Sequence, residues 1–234
     1  MGAVLEMRII CAAALGVVAA SMLTACGNDT TVGELKAPLK VLFGAVGLGK
    51  KVEKPALFTM DANQTAALRA VLVKNQQPIY EVSNANLNYI NLMAPYGENG
   101  DVVTWSSTSF EMMSLRHEMV VATRGFGQDL MSAQTPGLAQ IATGHGSTSR
   151  SYYYLNGADK PVRLDYTCVL APAGNDSIVV LGKAFSTRKV TETCTGPADG
   201  FTNSYWFDHG LHLRQSSQRV APALGNLLMQ RVID

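Results

Sequence analysis

Charged residues are scarce in this sequence, and long hydrophobic runs are confined to one place. Aspartate, glutamate, lysine and arginine together make up 16% of the 234 residues, and the formal net charge is +1. No run of like charges occurs, so the composition gives no reason to expect nucleic-acid binding. Beyond the N-terminus, no apolar stretch is long enough to span a bilayer as a helix. These features argue against a nucleic-acid partner and against a helical membrane protein.

Cysteine is also scarce, with four residues and no CxxC pair. Cys168 and Cys194 stand in strand-like segments on the two arms of a long predicted hairpin, with AGND at 173–176 as its turn. An exported protein meets an oxidising compartment, so a disulfide is the expected state. The arms are unequal around that turn, and two free buried thiols remain the alternative. A metal site built on these two cysteines has little support.

The N-terminus has the layout of a secretory signal. Arg8 precedes residues 9–25, IICAAALGVVAASMLTA, which carry no charge and end in small residues. Met7 makes a cleaner start than Met1, because Glu6 then leaves the positive end. Export from the cytoplasm is therefore predicted.

The end of this run, LTAC at residues 23–26, resembles the lipobox of bacterial lipoproteins. In such proteins the thiol, here that of Cys26, receives a diacylglyceryl group, and after cleavage the amine takes a third acyl chain such as palmitate. Two or more chains hold a protein firmly on a membrane. Gly27 replaces the aspartate that typically causes inner-membrane retention, which predicts the periplasmic face of the outer membrane. The alternative is an ordinary signal peptide with an incidental cysteine.

We therefore divide the chain into a signal peptide at 1–25, a flexible polar tether at 26–37 and a single β-rich periplasmic domain at 38–234. Near the start of that domain, ELKAPLKVLFGAVGLGKK can begin with a short amphipathic helix. A better helix is DANQTAALRAVLVKNQ, in which Asp61 can cap and Gln64 follows three residues on. Its predicted apolar stripe consists of Ala67, Leu68, Val71 and Leu72.

From Pro78 onward, short strand-like runs alternate with turn signals such as GENGD, PAGND and GPADG. Consecutive strands with short turns predict an all-β, mainly antiparallel fold of about ten strands. Such a sheet closes as a sandwich or as a partly open barrel, here with one or two short N-terminal helices. The C-terminal LGNLLMQRVID can be a last strand or a short helix.

Three local patterns that could carry chemistry are incomplete. GAVGLGKK at 44–51 nearly matches a phosphate-binding loop, but Lys51 stands where a serine or threonine would hold magnesium. His209 and His212 would need a third ligand to bind a metal. GHGSTS at 144–149 lacks the frame of a nucleophile elbow, and the dispersed carboxylates propose no glycosidase pair. We therefore predict no metal, no cofactor and no catalytic residue.

Three stretches taken together point to a family. They are VTWSS at 103–107, RGFGQDLMSAQTP at 124–136 and TNSYWFDHGLHLRQSSQRVAP at 202–222. In this order, behind a lipobox, they are similar to the YjbF/GfcB family, the group 4 capsule polysaccharide lipoproteins. The resemblance covers most of residues 78–222, and the C-terminal hairpin is its most specific part. His212 departs from it, because the family often has an aromatic or aliphatic residue there.

The resemblance implies an outer-membrane lipoprotein of capsule or exopolysaccharide secretion, with an outer-membrane β-barrel protein and a small periplasmic protein as partners. It also implies an all-β body of about ten antiparallel strands, in agreement with the independent pattern. It assigns no catalytic activity. We therefore expect a non-enzymatic accessory factor, with polysaccharide as a further candidate partner. A glycan- or lipid-binding carrier is the alternative, and a polysaccharide-modifying enzyme is the weaker third choice.

The resemblance also supplies signature positions without assigned chemistry. We expect Asp208 to close its hairpin turn through its carboxylate and Trp206 to pack in the core. The polar members of the C-terminal hairpin are expected either to satisfy buried backbone groups, which is the preferred role, or to contact a glycan or partner. The positions are Trp105, Gly125, Gly127, Asp129, Leu130, Asn203, Trp206, Asp208, Gly210, Ser217 and Gln218.

Overall fold

The computed structural model describes residues 60–234, which form two helices and twelve strands. The predicted signal peptide, the tether with Cys26, and the glycine-rich stretch at 44–51 lie outside the described residues. Among the residues that are described, no helix has the length and apolar character needed to cross a membrane. The fold described below is therefore that of residues 60–234.

Helix α1, Ala62–Asn75, begins as its sequence predicts. The Asp61 carboxylate accepts a hydrogen bond from the Gln64 amide at 2.8 Å, and the Gln64 side chain accepts from the Asp61 amide at 2.9 Å. These reciprocal bonds satisfy two of the unpaired amides of the first turn. Leu68 and Leu72 are buried as expected.

Two members of the predicted stripe are exposed instead, Ala67 and Val71. The reason is that α1 contacts the body over a narrow face. Next to Leu68, the Arg69 guanidinium donates to the carbonyls of Val180 and Leu181 at 2.9 and 3.2 Å, which fixes the helix on the tip of a long hairpin. A helix held along one edge buries only a narrow part of its surface.

All twelve strands pair antiparallel in one sheet, in the order β5-β4-β3-β2-β1-β12-β11-β10-β9-β8-β7-β6. The prediction of an all-β antiparallel fold is confirmed, whereas the strand count of about ten is too low. The strands are β1 Ile79–Asn84, β2 Tyr89–Asn99, β3 Val102–Ser106, β4 Met112–Arg116, β5 Met119–Arg124, β6 Ser132–Gln134, β7 Gly146–Leu155, β8 Pro161–Val180, β9 Lys183–Thr195, β10 Phe201–Phe207, β11 Leu213–Ala221 and β12 Gly225–Ile233.

Two features explain the difference in strand number. The run FEMMSLRHEMVVATRG splits into β4 and β5 at His117 and Glu118, which both adopt positive φ, at 45° and 71°. Neither residue is one of the usual turn formers at such positions, so the sequence does not predict this turn. Strand β6 has three residues and too little pattern to be predicted. The C-terminal segment, left open between strand and helix, is strand β12.

The sheet curls into a nearly closed barrel, because its two terminal strands come together. The Thr123 amide of β5 donates to the Leu130 carbonyl at 2.9 Å, just before β6 begins. Helix α2, Leu138–Thr143, places Ile141 in a core cluster with Val190 and Phe207. A larger apolar cluster contains Tyr80, Trp105, Tyr152, Phe201 and Met229, among others.

The hairpin of β8 and β9 turns later than predicted. Strand β8 runs through AGND to Val180, and the turn lies at Leu181 and Gly182. The pairing register shifts between Pro172 and Asn175, so the predicted turn is a bulge within the strand. With this register Cys168 faces Cys194 directly, and the structure joins them in a disulfide with a Cα–Cα distance of 4.0 Å.

Candidate functional site

The residues of strand β10 alternate between the two faces of the sheet, and two polar sites result. Asn203, Tyr205 and Phe207 are fully buried, and the last two belong to a core cluster. Successive side chains of a strand point to opposite faces, so Trp206 lies on the outer face. We name two sites: the inner cluster, around Arg150 and Glu192, and the outer groove, at the surface beside Arg188, Phe207 and the turn between β10 and β11.

The inner cluster is a buried ion pair with its hydrogen bonds satisfied. Arg150 Nη2 lies 2.8 Å from Glu192 Oε2, and both side chains are almost completely inaccessible to solvent. Glu192 also accepts hydrogen bonds from Thr148 at 2.7 Å, Asn203 at 2.9 Å and Tyr205 at 3.0 Å. The guanidinium of Arg150 donates to the Tyr205 hydroxyl at 2.7 Å. Each charge is therefore compensated within the barrel.

This compensation controls the pKa of both charged groups. Burial alone would raise the pKa of Glu192, but the charge of Arg150 and the hydrogen bonds from Arg150, Asn203 and Thr148 lower it. Burial would lower the pKa of Arg150, and the surrounding hydroxyls and carboxylate raise it instead. The pKa of Tyr205 is raised, chiefly by burial. Glu192 and Arg150 stay charged and Tyr205 stays neutral, so the cluster supplies no group ready to exchange a proton.

Asn203 and Gln218 satisfy buried backbone groups, in line with the preferred structural role. The Arg219 amide donates to Asn203 Oδ1 at 2.8 Å. The Gln218 amide group accepts from the Val120 amide at 3.0 Å and donates to the Glu118 carbonyl at 2.8 Å. Gln218 on β11 therefore binds the backbone of β5 as a neighbouring strand would.

Asp129 organises the loop after β5. Its carboxylate accepts from the Gly125 amide at 2.8 Å and from the Thr123 hydroxyl at 3.0 Å. Gly125 has φ +87°, and a Cβ there would lie 3.2 Å from the Glu111 Cα, so glycine is required. Leu130 is buried beside this loop. The stretch RGFGQDL is thus a structural turn.

Two further signature positions, Trp105 and Ser217, also have structural roles. Trp105 is buried and meets Tyr80 edge-on with ring centroids 4.7 Å apart. Ser217 is half-buried, and its hydroxyl accepts from Asn226 Nδ2 at 3.1 Å. Neither contact indicates a ligand.

Asp208 closes the turn between β10 and β11. It accepts from the amides of Gly210 and His212 at 2.9 and 3.0 Å and from Arg214 Nε at 2.7 Å. Although burial opposes the shift, Arg214 and the His212 amide lower the pKa of Asp208. The exposed His212 ring also lies against it, with Nδ1 3.3 Å from Oδ1. The turn therefore uses Asp208 as its fixed ionised centre.

Trp206 is buried as predicted, but on the outer face and not in the core. Its Nε1 donates to Asp176 Oδ2 at 2.9 Å, and Lys189 Nζ lies 4.7 Å from its ring centroid. Asp176 belongs to the segment after the β8 bulge. Trp206 thus anchors the outer half of the long hairpin.

Beside this anchor lies the outer groove, with a volume of about 700 Å³. One wall is the β8–β9 hairpin with Asp176, and the other is the β10–β11 turn with Asp208. The groove is lined by Asn175, Asp176, Ser177, Ser186, Thr187, Arg188, Phe207, Asp208, His209 and Leu211. Its size falls within the range of about 300–1,000 Å³ typical of ligand sites.

A metal ion has little to bind in the described part of the chain. Sulfur atoms of Cys168 and Cys194 and a carboxylate oxygen of Glu192 lie within 4.8 Å of one another. Both sulfur atoms are used by the disulfide, however, and offer no thiolate. His209 and His212 are exposed on a turn, and the contact described for His212 is with Asp208.

Sequence reasoning missed Arg150, Asp176 and Arg188. Arg150 carried a usable signal, because it stands in phase with Thr148 and Tyr152 on the inward side of β7. An arginine among inward positions predicts a buried partner, although not which one. The sequence AGND predicts a turn at Asp176, and the contact of Asp176 with Trp206 depends on a bulge that the sequence does not reveal.

Known proteins resemble this chain in sequence and in fold. Residues 50–232 match the family model described as group 4 capsule polysaccharide lipoprotein gfcB, YjbF. No curated protein sequence matches the chain. The structure resembles that of the hypothetical lipoprotein YmcC from Escherichia coli K12, with a TM-score of 0.58 and 14% identity over 75% of this chain and 98% of that one. An exported protein with a YmcC-like fold from Bacteroides fragilis NCTC 9343 matches more distantly, with a TM-score of 0.35 and 7% identity over 67% of this chain and 93% of that one.

The family model thus spans most of the sequence, and the YmcC likeness supports the same fold. The resemblance seen in the three sequence stretches is confirmed. This chain belongs to the YjbF family of group 4 capsule polysaccharide lipoproteins.

Proposed function

We propose that this protein is anchored by acyl chains on Cys26 to the periplasmic face of the outer membrane, where it assists polysaccharide secretion without changing the polymer chemically. Family membership and the lipobox support this proposal. The observation that carries the non-catalytic part is the saturation of the inner cluster. Its arginine, carboxylate and tyrosine hydroxyl bind one another inside the barrel, away from any polymer.

An enzyme acting on glycosidic bonds would need a carboxylic acid that stays protonated near neutral pH beside an ionised one. In the outer groove, Asp208 has a lowered pKa and is occupied by Arg214 and two backbone amides. The described carboxylates with raised pKa values are Glu81 and Glu118, and neither lines the groove. The groove is therefore better suited to binding than to acid catalysis.

A carrier that holds a lipid or glycan inside the barrel is also disfavoured. Rings fill the interior near β7, β8 and β10, with Tyr166 and Phe201 at 4.9 Å and Tyr152 and Phe201 at 5.9 Å between centroids. The inner cluster fills the part of the barrel interior next to these rings. Interior side chains packed this way leave the outside of the sheet as the better surface for partners.

Anchoring suits such a role because it raises the local concentration of the protein at its partners. The partners we propose are an outer-membrane β-barrel protein and a small periplasmic protein of the same secretion system. The anchor makes the complex assemble at the membrane through which the polymer leaves the cell.

The proposal is tested in cells that lack the gene and are complemented with variants. We expect Cys26→Ser to remove the protein from outer-membrane fractions and to reduce surface polysaccharide strongly. Cys11→Ser is the matched control, since that cysteine lies in the predicted signal peptide and its change should leave both readouts unchanged. Membrane recovery and normal export with Cys26→Ser, at equal protein level, would contradict the proposal.

A further inference from the structure

A bulge in β8 lies next to the outer groove. Pairing of β8 with β9 is interrupted between Pro172 and Asn175, where Gly174 has φ +83°. After this bulge the strand continues with exposed polar residues, and Trp206 fixes Asp176 among them by a hydrogen bond of 2.9 Å. A β-bulge next to a site is a common device for re-aiming side chains.

The opposite rim carries an unusual residue. Leu211 has φ +60°, a left-handed conformation that is strained for a leucine, and its side chain is 59% exposed. Exposure of a large apolar side chain and backbone strain are both costs to folding, so this arrangement contributes little to stability. Its position beside the groove gives the exposed side chain a use as an apolar contact for a ligand.

The polar groups of the groove are fixed but only partly used. Arg188 donates to the Ala142 carbonyl at 2.7 Å and lies over the Phe207 ring at 5.5 Å, which holds its guanidinium in place. Among the described residues, its Nε and Nη1 have no hydrogen-bond partner. Asp176 pairs with Thr187 and faces the other side of the hairpin, toward Trp206. Ser177 and Ser186 face each other across the hairpin, and both are exposed.

Together these groups match the chemistry of a sugar chain. Hydroxyl groups of a sugar ring both donate and accept, so they fit serine hydroxyls and guanidinium N–H groups at once. The exposed Leu211 can cover the apolar C–H face of a ring.

We propose that the outer groove binds a short segment of a polysaccharide chain through its ring hydroxyls, with Arg188 and the Ser177–Ser186 pair as the contacts. This inference rests on the proposed function in secretion and names the surface that meets the polymer. Trp206 and Asp208 then act as positioning residues, since each holds one wall of the groove.

Binding is measured by titration calorimetry on the full lipidated chain in detergent micelles. The probe is a set of oligosaccharides released by partial hydrolysis from the surface polysaccharide of the producing strain. We expect saturable binding, weakened about tenfold or more by Ser177→Ala combined with Ser186→Ala, because hydrogen bonds to the ligand are lost. Asp176→Asn should bind like wild type, because that side chain faces Trp206 on the other side of the hairpin.

The controls are Asp165→Asn and Ser149→Ala, which alter an exposed carboxylate on β8 and an exposed hydroxyl on β7, both away from the groove. Both should bind like wild type, and thermal unfolding should confirm that all variants are folded. Absence of wild-type binding, or equal binding by groove and control variants, overturns the inference.

The export assay separates the two claims. If Cys26→Ser reduces export while the wild-type protein binds no oligosaccharide, the groove inference fails and the proposed function stands. If oligosaccharides bind in the groove while cells without the gene export normally, the proposed function fails and the groove remains a sugar site.

Discussion

Tyr205 and Trp206 are neighbours on strand β10, yet they face two different environments. Each donates a hydrogen bond to a carboxylate, Tyr205 to Glu192 inside the barrel and Trp206 to Asp176 outside it. Inside, Glu192 is also bound by Arg150 and buried. Outside, one oxygen of Asp176 has no hydrogen-bond partner among the described residues. The same strand therefore separates buried polar groups that stabilise the fold from surface polar groups that are only partly satisfied within the protein.

The largest effect on stability is expected from breaking the inner cluster. Glu192→Ala leaves the charge of Arg150 buried without a partner, which costs about 3–5 kcal/mol. Urea unfolding of the variant and of wild type measures this difference. Glu192→Gln should cost less, because it keeps an acceptor for the surrounding donors. Asp165→Asn, in the exposed pair with Arg163, should leave stability nearly unchanged, because solvent screens this pair. A small cost for Glu192→Ala would show that the cluster does not stabilise the fold.

The disulfide is another feature of the inner face. Cys168 and Cys194 are fully buried and close a loop of 26 residues in sequence. Replacing both with alanine should lower the free energy of unfolding by about 2–4 kcal/mol, mainly because the unfolded chain gains freedom. Reductant should then destabilise wild type and leave the variant unchanged. Equal sensitivity of the two proteins to reductant would contradict the pairing.

The contact between β11 and β5 should have an intermediate effect. Gln218→Ala leaves the Val120 amide and the Glu118 carbonyl without their partner, at a cost of about 1–3 kcal/mol. Hydrogen exchange of the Val120 amide should quicken more than that of amides in β10. Gln140→Ala, at an exposed site on α2, serves as the control and should be nearly neutral.

The pH dependence of stability distinguishes two carboxylates with opposite shifts. The pKa of Glu192 is lowered, so its contribution is present above about 4.5 and is lost as the pH falls through its folded pKa. The pKa of Glu118 is raised, chiefly by burial and in spite of Arg231. Its contribution is present below about 4.5 and declines as the pH rises through its folded pKa. The free energy of unfolding should be measured across this pH range. Glu192→Gln should remove the loss of stability at low pH, and Glu118→Gln should remove the decline as the pH rises.

The smallest change is expected on the outer face. Asp176→Asn should alter the free energy of unfolding by about 0.5 kcal/mol or less, since an exposed side chain keeps its bond to Trp206. Loss of several kcal/mol would mean that the outer face supports the fold as the inner face does, and the comparison would fail.

Local patterns in the sequence predicted local features well. The Asp61 cap and the Asp208 turn follow from neighbouring residues, and they are found as expected. The pairing of Cys168 with Cys194 required the register of two long strands, and that register depends on where β8 really turns. A bulge at Ala173 and Gly174 reads as a turn because both use the same residue types.

The candidate site was less predictable for the same reason. Trp206 and Asp208 were singled out by resemblance, but their partners Asp176 and Arg214 come from other segments. Closure of the sheet brings Gln218 to β5 and Arg150 to Glu192 across the barrel. Such contacts join distant parts of the sequence. A local sequence pattern does not tell which distant residue a given side chain will contact.

The central claim is that the protein binds the exported polymer and leaves it intact. The most direct measurement is the size and composition of the native polysaccharide after incubation with the full lipidated chain, followed by size-exclusion chromatography and sugar analysis. The account predicts that part of the polymer elutes with wild-type protein, that the protein with Ser177→Ala and Ser186→Ala retains less, and that chain length and substituents are unchanged in both. Shortened chains or removed substituents with the wild-type protein would contradict it.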